Sequence, residues 1–123
     1  MGYHVVDPKD LDTVPNRPSN MRYVSEAAGL EKLGLRVYDV EPGEEIPVSG
    51  LHYHDEQEEA FYVVSGVLSV ETPDEEYTID AGRFFIAEPN SPHRAFNDGT
   101  AESPVRVVGI GAPPIDDGHA YTD

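Results

Sequence analysis

The sequence predicts an all-β domain, a sandwich or barrel built from short strands. Three observations carry this. Segments rich in branched and aromatic residues recur through the middle of the chain, each closed by a turn marked with glycine, proline, asparagine or aspartate. There is no βαβ alternation, no glycine-rich phosphate loop and no internal repeat. At 123 residues the chain makes one domain, long enough to bury roughly two-thirds of the surface that its unfolded form exposes.

Residues 1–34 read as an N-terminal arm and irregular lead-in, with Pro8, Pro15 and Pro18 among polar residues and a short strand expected at Tyr3–Val6. Ser25–Leu33 reads either as one or two helical turns capped by Ser25 or as a loop, since Gly29 and the short length weigh against a helix. From there strand signals dominate. Leu35–Val40 stops at Pro42-Gly43, Leu51–His54 follows a Pro/Gly/Ser stretch, and Ala60–Val64 ends at Ser65-Gly66. Val67–Thr72 ends at Pro73-Asp74, Glu76–Ile79 runs into Asp80-Ala81-Gly82, and Arg83–Ala87 precedes the proline-rich stretch 89–92. His93–Phe96 stops at Asn97-Asp98-Gly99, and Val105–Ile110 closes the regular part. The barrel is thus expected over 35–111, with 112–123 as a tail that is poorly ordered or draped along an edge.

Composition narrows the partners. The formal net charge is -16, from 24 acidic residues against 8 basic ones. Such a surface repels phosphate backbones and anionic lipid, so nucleic acid and membrane partners are not expected. The acidic residues are spread between apolar strands, which argues against an acidic disordered tail, and nothing points to a cationic partner. The remaining reading is a surface adapted to high salt, where screening removes self-repulsion, as in a halophile's cytoplasmic protein. With no cysteine, disulfides and thiolate chemistry are excluded. The N-terminus lacks a basic start followed by an apolar run, and Val6 stands where an acylation signal after Met1-Gly2 needs serine or threonine. No apolar run approaches membrane-spanning length.

The chemistry lies in His52-Tyr53-His54, Glu59 and His93. Alternation along a strand points His52 and His54 the same way, about 6.5 Å apart along the backbone, with Tyr53 facing the other layer. Glu59 follows an acidic bend and starts the next strand, which can fold back beside the histidines. His93 must arrive from elsewhere in the barrel. Imidazole and carboxylate are the ordinary ligands of several divalent metals. Each piece also has a plainer account. A lone His-x-His is more often a polar surface stripe, an acidic run is usually a solvated turn, and one histidine at a strand entry is unremarkable.

Their joint spacing resembles the two motifs of the cupin superfamily. The first motif reads H-x-H, three or four residues, E, six residues, G; His52, His54, Glu59 and Gly66 fit it throughout. The gap to Gly66 selects Glu59 over Glu58. The second reads G, five residues, P-x-G, two residues, H, three residues, N; Gly82, His93 and Asn97 fit. Two departures stand out. Ile46 occupies the opening glycine of the first motif, with Gly43 three residues earlier, and Glu88 and Asn90 occupy the proline and glycine of the second, with Pro89 displaced by one. Asparagine tolerates the left-handed conformation, which keeps that turn available.

The resemblance covers about residues 35–110 and implies a double-stranded β-helix, a conical jelly-roll β-barrel with a metal near its mouth. It implies His52, His54, Glu59 and His93 as ligands of a divalent transition metal, whether Zn, Mn, Fe, Ni or Co. By strand parity Phe61 and Val63 share the face of Glu59, and Ala95 that of His93, as pocket wall or as core. Tyr62, Arg94 and Phe96 fall on the opposite face as packing or interface residues, and the parity of Arg36 and Tyr38 stays open. His4 and His119 lie in the ends and read as surface histidines.

The fold hosts many chemistries. One expectation is a metalloenzyme, dioxygenase- or isomerase-like, acting on a small organic molecule, with no catalytic residue beyond the ligands assigned. The alternative is a non-catalytic module that binds a small ligand or sugar. A purely structural role gives no reason for four ligands at this spacing. A homodimer through the outside of the sheet is expected, with the arm able to add a strand to a neighbour.

Overall fold

In the computed structural model, which describes residues 2–122, eleven strands account for most of the regular structure among those residues. The strands are β1 (Asn20–Tyr23), β2 (Gly34–Val40), β3 (Glu45–Ile46), β4 (His52–His54), β5 (Glu58–Ser65), β6 (Val67–Glu71), β7 (Glu76–Asp80), β8 (Phe84–Ala87), β9 (Arg94–Phe96), β10 (Val105–Ala112) and β11 (Gly118–Ala120). They form a five-stranded sheet in the order β1-β2-β10-β5-β8, a four-stranded sheet β3-β9-β6-β7 and a two-stranded ribbon β11-β4, all antiparallel.

Alternating burial explains why these segments are strands. In β10 every second residue is buried, and in β5 Glu59, Phe61 and Val63 point inward while Glu58, Ala60 and Tyr62 do not. The inward faces of both larger sheets build one core: Met21, Tyr38, Val40, Ile46, Phe61, Val63, Leu68, Val70, Ile79, Ala95, Val105 and Val107. Fully burying a side chain the size of Val63, Leu68 or Phe61 contributes roughly 1.5–3 kcal/mol, so this cluster is the main source of stability. On the outside, Arg94 ties three strands of the four-stranded sheet together, bonding Glu71 at 2.8 Å and Glu45 at 2.9 Å and lying over the Phe96 ring at 4.0 Å.

Several local expectations change. Residues 3–6 form no strand; the arm instead contributes β1, which pairs with β2 of its own sheet. The helix is a single turn, Val24–Ala28, starting one residue before Ser25. Ser25 is therefore inside it rather than capping it, and its buried hydroxyl donates to the Leu35 carbonyl at 3.3 Å. Ile46, at the position where a glycine opens the first motif, is fully buried and pairs with Ala95, so its side chain belongs to the core. Asn90 has φ 64° and so keeps the left-handed turn, while its amide donates to the His54 carbonyl at 2.7 Å. Gly66 is required by its surroundings: φ is +79°, and a Cβ there would lie 2.6 Å from the Pro104 carbonyl oxygen. Asn97 is buried and donates to the carbonyls of Val40 and Ser103, joining β2 to the loop before β10.

Candidate metal centre

Strand pairing brings the four expected side chains to one point. His52 and His54 share a face of β4, with ring centroids 5.4 Å apart. Glu59 enters on β5, directly opposite Gly111 and Ala87 in the flanking strands. His93 arrives through a two-bond backbone bridge: the His52 amide donates to the His93 carbonyl at 3.1 Å, and the His93 amide to that of His52 at 2.9 Å. That bridge sets the two rings 4.6 Å apart although the residues are remote in sequence. One ligand-type atom from each of His52, His54, Glu59 and His93 lies within 4.8 Å of the others. Glu58, the competing carboxylate, is exposed.

Hydrogen bonds at Nδ1 orient all three imidazoles. Each imidazole is fixed through Nδ1, which donates to the Gly50 carbonyl from His52 at 3.2 Å, to Asp117 from His54 at 3.0 Å and to the Ser91 carbonyl from His93 at 2.8 Å. Every Nε2 is thereby turned toward the cluster. His52 Nε2, His54 Nε2 and Glu59 Oε2 are buried and have no hydrogen-bond partner. An unmet buried polar atom costs about 1–3 kcal/mol, and a divalent cation bound there would remove all three penalties at once. The donor set fits a transition metal.

The remaining ligand atoms meet each other. His93 Nε2 donates to Glu59 Oε1 at 2.8 Å, so the pair reads as imidazolium and carboxylate. For Glu59, burial alone would raise the carboxyl's pKa; the hydrogen bond from His93, with the nearby His93, His54 and Arg36, outweighs it and the pKa falls. For His93, burial would lower it, and the Glu59 carboxylate wins and raises it. His52 has no such acid bonded to it, so burial, aided by His93, lowers its pKa.

The cluster opens on a cavity of about 560 Å³ walled by residues including Pro47, Arg36, Gln57, His54 and Ile115. Phe61, Val63 and Ala95 belong to the core rather than to this wall, and the Phe61 ring reaches His93 at 6.4 Å between centroids. Tyr62, Arg94 and Phe96 are half-buried on the outer faces. His4 is exposed. His119 is half-exposed at the rim, bonded to Asp55 at 2.7 Å and set against Tyr53.

The sequence reading missed Asp117, Gln57 and the place of Arg36. Asp117 accepts from His54 Nδ1 through one oxygen and from the Glu56 and Gln57 amides, at 2.7 Å and 3.1 Å, through the other. Burial opposes its ionisation, but the two amides and His54 prevail and its pKa is lowered. No local pattern marks Asp117, because its partners lie some sixty residues away. Its place depends on β11 pairing with β4, which carries the tail past the histidines. Arg36 and Tyr38 both point inward from β2, and Arg36 Nη1 donates to the Tyr38 hydroxyl at 3.2 Å. Charged groups thus face the site where few were expected.

Comparison with known proteins places this geometry. The sequence profile of the family described as "Cupin domain" matches residues 36–111. No curated protein matches the sequence. An Acidithiobacillus ferrooxidans structure described as a candidate sugar phosphate isomerase superposes with TM-score 0.67 at 29% identity, over 76% of this chain. This chain spans only 58% of that protein. A Silicibacter pomeroyi sugar phosphate isomerase from a cupin superfamily gives 0.75 at 21% identity, over 89% of this chain and 75% of its own. An uncharacterized Klebsiella pneumoniae protein with a double-stranded β-helix domain gives 0.77 at 20% identity, over 99% of this chain and 100% of its own. With the family profile covering both histidine segments and the whole barrel between β2 and β10, the chain belongs to the cupin family.

Proposed function

We propose that His52, His54, Glu59 and His93 hold a divalent transition metal and that this cupin is a metal-dependent enzyme, isomerase- or dioxygenase-like, acting on a small organic molecule. One observation carries the reading: three buried, partnerless ligand atoms converge beside a cavity of substrate size. The metal would supply Lewis acidity toward a carbonyl or enediol, or a position for dioxygen. The chain's own residues supply the rest. Gly50, Asp117 and Ser91 hold the three imidazoles in one tautomer, and Glu59 brings the negative charge that a dication needs. The 47–49 loop and the tail contribute to the cavity wall. The sugar phosphate isomerase descriptions of the Acidithiobacillus and Silicibacter proteins favour the isomerase side.

Elemental analysis of purified protein tests the metal, with about one transition ion per chain expected and His54→Ala losing it. A panel of diols, keto acids, sugars and sugar phosphates with Fe(II), Mn(II), Ni(II) or Zn(II) tests turnover. A metal-free native protein, or His54→Ala with unchanged metal, defeats the proposal. A second reading, a small-ligand or sugar-binding module without turnover, draws on the absence of a buried acid–base group in the cavity lining outside the cluster among the described residues. His119 is paired with Asp55, and Glu26 and Asp116 stand exposed. Turnover that depends on His52 rules it out.

The same proposal includes a homodimer in the cytoplasm of a salt-adapted cell. Phe84 and Ile86, exposed on the edge strand β8, continue the outer face of Tyr62 and Val64, an apolar patch suited to self-association. Light scattering with Phe84→Lys as control decides between monomer and dimer. Among the described residues no helix is long and apolar enough to cross a membrane.

A further inference from the structure

The cavity wall next to the cluster carries an arginine that has no ion pair among the described residues, although the buried Glu59 carboxylate is near enough to feel its charge. Arg36, on β2, is half-buried, and its guanidinium lies 6.0 Å over the Tyr23 ring with one hydrogen bond to Tyr38. An arginine has five N–H donors. Although acidic residues outnumber basic ones 24 to 8, no carboxylate lies within ion-pair distance of it among the described residues, whereas Arg22, Arg94 and Arg106 each take at least one.

Gly111 explains how the guanidinium reaches this place. A Cβ there would stand 3.2 Å from Arg36 Nη2 and 2.9 Å from both Cδ and Nε2 of Gln57. Bare backbone lets the guanidinium and the amide lie across β10 together. Gln57 is buried and held in one orientation, its Nε2 donating to the Pro113 carbonyl at 3.1 Å, while its Oε1 has no partner. Unused guanidinium donors therefore sit in the wall that also bears His52 and His54, while the Gln57 oxygen is buried behind it. Arg17, at the exposed mouth, adds a second cation without an ion pair among the described residues. The carboxylates of Glu26 and Asp116 also line the cavity but stand exposed to water, where screening weakens them.

We infer that Arg36 is a specificity-determining residue, binding an oxyanion of the small molecule (a carboxylate or a phosphate). The inference rests on the proposed metal-dependent function and names the charge class of its substrate. Arginine suits this task because its planar fork meets a carboxylate or phosphate through two parallel bonds, which a lysine ammonium cannot do.

Calorimetric titration of the purified protein with glucose 6-phosphate, gluconate and glucose, at matched ionic strength, tests it. At least one anion is expected to bind roughly tenfold or more tightly than glucose, and Arg36→Gln to lose that preference while glucose binding stays unchanged. The phosphate and carboxylate arms show which oxyanion is preferred. Arg36→Lys keeps the charge and the Tyr23 contact, so it serves where Arg36→Gln does not fold, and it is expected to weaken the anion severalfold. Equal binding of glucose and the anions, binding of none of them, or an anion preference that survives Arg36→Gln (or, where that variant does not fold, is undiminished in Arg36→Lys) overturns the inference. Metal content measured on the same samples separates the two ideas. An Arg36-dependent preference in protein that never carries metal defeats the metalloenzyme alone. Metal-replete Arg36→Gln protein that keeps the preference defeats the arginine assignment alone.

Discussion

Asp117→Ala is the sharpest test of how the tail serves the site. The substitution removes the acceptor of His54 Nδ1 and leaves the Glu56 and Gln57 amides without the carboxylate that binds them at 2.7 Å and 3.1 Å. Hydrogen bonds to a charged group contribute about 1.5–3 kcal/mol each. Glu56 is exposed, so water replaces its bond, and releasing a largely covered carboxylate recovers some desolvation. A net loss of roughly 2–3 kcal/mol in folding stability is expected. The effect on metal is separate. Freed from Asp117, the His54 ring can rotate or hold its proton on Nε2, so its lone pair is presented for a smaller fraction of the time. Loss of such an outer partner weakens metal binding about 10–100-fold. Competition against a chromogenic chelator with Zn(II) or Mn(II) measures the affinity, and urea denaturation followed by circular dichroism measures stability. Folded Asp117→Ala protein that binds metal within about twofold of wild type would show that the tail only covers the site and does not orient His54.

Three further outcomes follow from the geometry. Metal uptake should weaken as pH falls. In the metal-free site His93 holds a proton on Nε2 with its pKa raised by Glu59, and that proton must leave before the nitrogen can ligate. Calorimetry in buffers of different ionisation heat should detect its release, and binding independent of pH and buffer would contradict this. Gly66→Ala should destabilise the fold by at least about 1–3 kcal/mol from backbone strain alone, with more from the clash against Pro104; a denaturation midpoint equal to wild type would refute it. Raising KCl from about 0.1 M to 1 M shortens the screening length from roughly 10 Å to 3 Å, so thermal stability should rise in a chain of net charge -16. A midpoint that falls with salt would remove the argument for a salt-adapted surface.

Much of this was legible along the chain because strand chemistry is local. Alternation alone puts His52 and His54 on one face of β4, and spacing to Gly66 favours Glu59, which is buried, over Glu58, which is exposed. Asn90 could be read as a glycine substitute because few residues other than glycine enter the left-handed region readily. The very short elements β3 and β11 carried no periodicity to read, since two or three residues cannot display alternation. Tyr3–Val6 looked like a strand, yet pairing with β2 went to Asn20–Tyr23, whose Met21 fills the core.

By itself, then, the sequence determined the β-rich architecture, the family and the four ligand-type residues, because each follows from residue type and spacing within a segment. Tertiary structure alone decided which groups surround them. The His52–His93 bridge, the Asp117 contact with His54 and the meeting of Arg36 with Gln57 across Gly111 all join segments far apart in the chain. Their physical basis is pairing between distant strands, which short-range pattern does not encode. The choice of four ligand-type residues is a matter of spacing; the orientation of the three imidazoles and the charged neighbours of all four are a matter of the folded chain.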